Sequence, residues 1–106
     1  MIPDIDETWC PLEELFSEPE RRMLGRFLRG SRLVVIPAAR SKRLLVLDWL
    51  AQAFEIGVRY QERQVNKLLS AFHPDYACLR RYLVDEGFLS RADGSYWRSG
   101  GRTGID

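Results

Sequence analysis

Between residues 59 and 98 the apolar positions recur first with a helical period and then with an alternating one. Val65, Leu68, Leu69 and Phe72 share one face of a segment from Gln61 to Phe72, with Gln61, Glu62, Arg63, Asn66 and Lys67 on the wet side. His73-Pro74 ends that helix, because proline pushes the residue before it out of the helical region. Tyr76, Leu79 and Leu83 then give a second apolar stripe, which predicts a helix over 76–86. Asp75 is placed to cap it and Gly87 to stop it. Short joints of this kind connect helices that cross steeply. After Gly87 the period changes. Phe88–Arg91 and Ser95–Arg98 flank Ala92-Asp93-Gly94, and Asp-Gly between two such runs signals a hairpin. Two helices, a tight joint and a hairpin predict a winged helix-turn-helix. The fold class is α+β, mainly helical, with a small antiparallel sheet and an N-terminal helical extension.

Upstream, Ser17-Glu18-Pro19-Glu20 has the form of a capping box with proline in the first turn. It predicts a helix to about Phe27 or Leu28, burying Met23, Leu24, Phe27 and Leu28, with Gly30 as its stop. Leu33–Pro37 reads as a strand, which Pro37 confines to an edge or an end. In a winged fold such a strand can pair with the hairpin into a three-stranded sheet. Ser41 is placed to cap a helix over 42–54, apolar around most of its circumference and therefore expected at the centre of the core. Glu55 to Tyr60 reads as a turn and a short extended stretch. Residues 1–11 read as irregular, with Trp9 as an aromatic that packs back on the domain or meets a partner, and 12–16 as a short helical turn. The division expected is an acidic segment plus helix over 1–32, the winged domain over 33–98 and a flexible tail over 99–106.

Net charge alters this picture, because its average of +1 conceals an asymmetry. The first twenty residues hold seven acids and no base, whereas the rest carry all sixteen bases against eight acids. An acidic head on a basic body suits a body that binds a polyanion, with a merely solvated acidic end as the competing reading. No apolar run approaches the ~18 residues of a membrane span. The N-terminus lacks the basic and then apolar regions of a signal peptide, so a cytoplasmic location is expected. Cys10 and Cys78 are isolated and His73 is the single histidine, which is neither a metal-site spacing nor a disulfide framework. No glycine-rich phosphate loop or nucleophile elbow is present, and one histidine makes no triad. A non-enzymatic protein without metal or cofactor is the expectation.

The candidate DNA-binding residues are Arg40, Lys42, Arg43, Arg59, Gln61, Ala77, Cys78, Arg80, Arg81, Arg91 and Arg98. On the second helix of the pair, Ala77, Cys78, Arg81 and Asp85 lie opposite the apolar stripe, with Arg80 at its edge. Small residues there let a backbone approach a groove wall, and the arginines can reach phosphates or a guanine edge. Arg91 and Arg98 would carry the hairpin onto the backbone, while Arg59 and Gln61 position it. The competing reading of Arg80 and Arg81 is salt bridging to Asp85 or Glu62. For Arg40, Lys42 and Arg43 it is a solvated helix start, although cations there oppose the helix dipole. Cys78 on that face also admits a redox role. Tyr76, Tyr96, Trp49 and Trp97 are expected to serve in packing, and His73 to hydrogen-bond backbone at the joint.

The stretches KRLLVLDWLAQAFE, RYQERQVNKLLSAFHPDYACLRRYLVDEGFLSR and the closing YWR resemble a prokaryotic domain of unknown function, number two-zero-eight-seven of its series. The resemblance spans about 33–98, roughly two-thirds of the chain. That family is often attached to ArsR-like and other helix-turn-helix regulators, so the resemblance implies a transcription-linked winged helix and no established molecular activity. With only a short extension before the domain, the domain itself is expected to be the reader. The function expected is a DNA-binding transcriptional regulator acting on double-stranded DNA, with the N-terminal helices pairing two copies into a homodimer. The alternative is a protein-interaction module whose acidic residues 1–20 meet a partner, and structured RNA is a weaker third target.

Overall fold

A computed structural model describes residues 15–103. Helix α1, Glu18–Gly25, starts as its sequence dictates. Ser17 accepts from the backbone of Glu20, and the Glu20 carboxylate accepts in return from the Ser17 N–H at 2.9 Å. The helix stops at Gly25, short of the expected end. Leu28–Arg29 forms β1, which turns through Gly30 (φ 62°) and pairs antiparallel with β2, Arg32–Leu33. Gly30 is thus a hairpin residue and not a helix stop. Of the four residues expected to be buried here, Leu24 and Leu28 are, while Met23 and Phe27 are half-buried.

Helix α2, Arg40–Ala51, begins earlier than its expected cap. Ala39 stands at the cap position and offers no side-chain oxygen, so Ser41 lies inside the first turn. A missing cap costs about 1 kcal/mol, which burial of every residue from Val46 to Ala51 offsets. The N–H groups of Gln52, Ala53 and Phe54 bond three residues back and tighten the last turn.

Strand β3, Arg59–Gln61, runs directly into α3, Glu62–Ser70. After the joint come α4, Tyr76–Asp85, then β4, Leu89–Ala92, and β5, Ser95–Arg98. At the joint His73 Nδ1 accepts from the Asp75 N–H at 2.9 Å, the backbone role expected of it. The sheet order is β3-β5-β4, all antiparallel. Helix, strand, helix, helix, strand, strand in this pairing makes a winged-helix-like α+β fold. Leu33–Pro37 is not its third strand. The Leu33 N–H donates to Phe72 at 2.8 Å and Val34 to Phe27 at 2.7 Å, far from the hairpin, and Val34 and Val35 lie exposed. The edge of β5 belongs to β3 because packing α3 on the core delivers its preceding residues there. The alternation that marks β3 was present in the sequence: Tyr60 points in, Arg59 and Gln61 point out.

One core joins every element. Trp49 meets Phe72 edge-on at 5.2 Å and Phe54 meets Tyr60 at 5.3 Å. Phe16, Leu24 and Leu28 from the extension belong to the same cluster. No helix among the described residues is long and apolar enough to cross a membrane. The wing turn has φ 52° at Asp93 and 77° at Gly94, the pair of positive values that a two-residue hairpin loop requires. Gly94→Ala is expected to lower stability by about 1 kcal/mol, read from denaturant midpoints; an unchanged midpoint would mean the turn tolerates a side chain.

Residues 99–103 are not the loose tail expected of them. Ser99 and Gly100 donate to the Phe88 carbonyl, and Arg102 is tied to both α1 and α2. Its Nε donates to Asp48 Oδ2 at 2.7 Å and its NH1 to Glu20 Oε1 at 2.8 Å. The Glu20 carboxyl is held down from 4.5 to about 2, first by Arg102 and then by the Ser17 N–H. A depressed carboxylate stabilises above its unfolded pKa and loses that effect as pH falls. Denaturant midpoints are therefore expected to drop between pH 4.5 and about 2, and less so in Glu20→Gln. The same acid sensitivity in both proteins would assign the drop to other groups. The readings made for residues 1–14, including Trp9, Cys10 and most of the turn at 12–16, lie outside the described residues, as do 104–106.

Candidate nucleic-acid interface

Helix α4 is divided into flanks by what its neighbours hold. Asp75 caps it by accepting from the Cys78 N–H at 3.3 Å, and Leu79 and Leu83 anchor it in the core. Tyr76, expected in that stripe, is 36% exposed instead. It falls in the first turn, where the helix has already left the core.

One flank faces the start of α2. The Arg43 guanidinium lies 4.5 Å from the centre of the Tyr82 ring and NH1 donates to Ala38 at 2.9 Å. Arg40 forms a two-pronged ion pair with Glu86, at 3.0 and 2.9 Å. That bond holds the Glu86 carboxyl below its ordinary value and the Arg40 guanidinium above its own. Cys78 sits half-buried on this side. Burial, and then Asp75, push its thiol up, opposite to the direction that favours a reactive thiolate. Lys42 lines a shallow cleft with Pro19, Glu20, Met23, Ser41 and Leu45, away from α4.

The other flank faces α3 and the wing. Arg80 donates to Asn66 Oδ1 and lies 4.0 Å from Glu62, so the salt-bridge reading describes Arg80 well. The Tyr96 hydroxyl donates to Glu62 Oε1 at 2.7 Å. This bond, followed by the Arg80 charge, lowers the Glu62 carboxyl, while burial and then Glu62 raise the Tyr96 phenol. Glu62 could be named from the sequence as a partner for Arg80, whereas Asn66 and the Tyr96 hydroxyl carried no local sign, since the Arg80–Asn66 and Tyr96–Glu62 bonds span 14 and 34 residues.

Sheet register decides which wing arginines reach α4. Arg91 pairs with Tyr96 and Leu89 with Arg98, so all four share the inner face. Arg91 is near the tip, beyond the core, and its guanidinium lies 5.7 Å from the Tyr96 ring centre. With Arg80, Arg81, Val84, Asp85 and Tyr96 it lines a polar recess of about 190 Å³ between α4 and the wing. Arg98 is at the root and turned inward, donating to Gly100 at 2.9 Å, Arg102 at 2.7 Å and Phe54 at 3.3 Å. It braces the domain instead of reaching outward. Arg59 pairs with Trp97 on the opposite face, stacked at 4.3 Å from its ring. Gln61 is exposed ahead of α3, where its N–H donates to Gln64 Oε1 at 2.8 Å.

Between the flanks lies the outer stripe of α4. Ala77, Arg81 and Asp85 are exposed there, four residues apart, and neither charge is hydrogen-bonded or ion-paired to a described residue. The structure therefore brings Arg80, Arg81 and Arg91 together around one recess, with Ala77 one turn before Arg81 on α4. It places Arg40, Arg43 and Cys78 on a second side, and Lys42, Arg59 and Arg98 elsewhere.

No curated protein and no solved structure matches the chain. One family model does, over residues 32–98, a span that takes in β2, α2, the helix pair and the wing. The chain thus belongs to the family described as uncharacterized proteins conserved in bacteria, DUF2087.

Proposed function

We propose that this domain binds double-stranded DNA, with α4 in a major groove and the β4–β5 wing along the phosphate backbone, as part of a cytoplasmic transcriptional regulator without catalytic activity. The observation that carries the reading is Arg81, an exposed guanidinium at the centre of the outer stripe of α4, with no hydrogen bond to a described residue and Arg91 of the wing beside the same recess. A free guanidinium on an outward helix face is suited to guanine or phosphate oxygens. Asn66 and Glu62 hold Arg80 behind it as a positioning residue, and the Tyr96 hydroxyl donates to that same Glu62. A single reading helix binds weakly at physiological salt, so two copies on two half-sites, paired through the N-terminal segment, complete the proposal.

The second reading, a protein-interaction module, has its own observation. Asp85 is an exposed acid in the same recess, and Glu86 neutralises Arg40 on the neighbouring flank. The experiment is binding to pooled genomic DNA fragments at two salt concentrations, beside an Arg81→Ala/Arg91→Ala variant. Enrichment of a defined site that withstands moderate salt and is lost in the variant supports DNA reading. Weak binding that salt erases and the variant retains supports the interaction module.

A further inference from the structure

Resting on the DNA-binding reading, we infer that Arg81 and Asp85 set the sequence specificity, Arg81 selecting guanine and Asp85 selecting a nearby cytosine, with Ala77 leaving room for close approach. Elimination along α4 leads there. Leu79 and Leu83 are buried, Arg80 is held by Asn66, Tyr82 lies against Arg43, Glu86 is held by Arg40, and Cys78 is half-buried on the flank of Arg43 and Tyr82. Tyr76 is exposed, but five residues before Arg81 it stands well round the helix from the outer stripe. Val84 is apolar and half-buried at the recess. The polar side chains left facing outward from the stripe are Arg81 and Asp85.

These two lie four residues apart, where an ion pair could form, yet none is made. The order cation before anion is the less favourable one at this spacing. Both groups are therefore available to a ligand. In a major groove the Arg81 guanidinium matches the O6 and N7 acceptors of guanine. The Asp85 carboxylate has fewer options. Phosphates, guanine O6 and thymine O4 all repel it, and a base amino group, above all cytosine N4, satisfies it. A carboxylate thus works largely by rejecting other bases. The same acid that favours an interaction module acquires a role in reading.

Selection from random-sequence duplexes by the wild type, Arg81→Ala and Asp85→Asn tests this. The wild-type site is expected to hold a guanine and a neighbouring cytosine. Arg81→Ala should lose the guanine preference by roughly tenfold or more. Asp85→Asn should shift the neighbouring position from cytosine toward adenine, because an amide both donates and accepts. Melting temperatures should be unchanged, since neither side chain bonds a described residue. If both variants select the wild-type site, or the wild type binds duplex DNA without any preferred site, the assignment fails while DNA binding stands. If the wild type binds no duplex DNA even at low salt, both fall.

Discussion

Replacing Asp48 with alanine is expected to lower stability by about 3 kcal/mol, the scale for removing charge-assisted hydrogen bonds from a largely buried carboxylate. Asp48 is 9% exposed in the last turn of the core helix α2. Its Oδ1 accepts from the Arg102 N–H at 2.9 Å and from Gln52 Nε2 at 3.2 Å, and its Oδ2 accepts from Arg102 Nε at 2.7 Å. Arg102 in turn donates to Leu15 and Glu20 and lies over the Phe16 ring at 4.3 Å. One carboxylate therefore ties the segment after the wing to α2 and, through Arg102, to α1. Without it, a partly buried guanidinium loses its closest partner. Denaturant unfolding of Asp48→Ala, Arg102→Ala and the double variant measures this. The two single losses should overlap, with the double costing much less than their sum. Additive losses, or an Asp48→Ala loss below about 1 kcal/mol, would mean that the clamp contributes little.

The Arg81→Ala/Arg91→Ala variant is expected to bind DNA about a hundredfold more weakly, from two charge-assisted contacts at about 1.5 kcal/mol each. The two substitutions should differ in kind. Arg91 at the wing tip is proposed to meet phosphate, so Arg91→Ala should weaken all sequences alike and reduce the slope of log affinity against log salt by about 1. Arg81 is proposed to meet a base, so Arg81→Ala should mainly level the differences between sequences. Folding should be little affected. Arg81 has no bond to lose among the described residues, and Arg91 has a ring contact at 5.7 Å. Unchanged affinity in the double variant would remove the recess from any DNA interface. Arg80 is the poorer choice for this test, because its truncation also releases Asn66 and disturbs Glu62.

Features whose partners lie within one turn were legible in the sequence. The capping box of Ser17 and Glu20, the Asp75 cap and the Asp93-Gly94 turn each form from neighbouring residues, so residue type was enough to place them. The helix pair was legible through the period of Val65, Leu68, Leu69, Leu79 and Leu83, all of which are buried. Arg81 could be singled out as a candidate because an arginine opposite an apolar stripe is outward by helix geometry alone, and Arg91 because it stands two residues before the Asp93-Gly94 turn, past the end of the core, although it shares the strand face of Leu89.

Tertiary structure decided whatever depended on which segments meet. Leu33–Pro37 is more β-branched than Arg59–Gln61, yet β3 takes the edge of β5, because α3 carries it there. Arg98 and Arg91 both look like wing cations in the sequence. Register leaves one at the tip and turns the other toward the Phe54 and Arg102 carbonyls. Arg40 and Arg80 are spent on Glu86 and Asn66, at separations of 46 and 14 residues. Hydrophobic period and capping are local properties of the chain. The partner of a long charged side chain is chosen by packing that brings distant segments together, so the elements could be read from the sequence and the free arginine only from the fold.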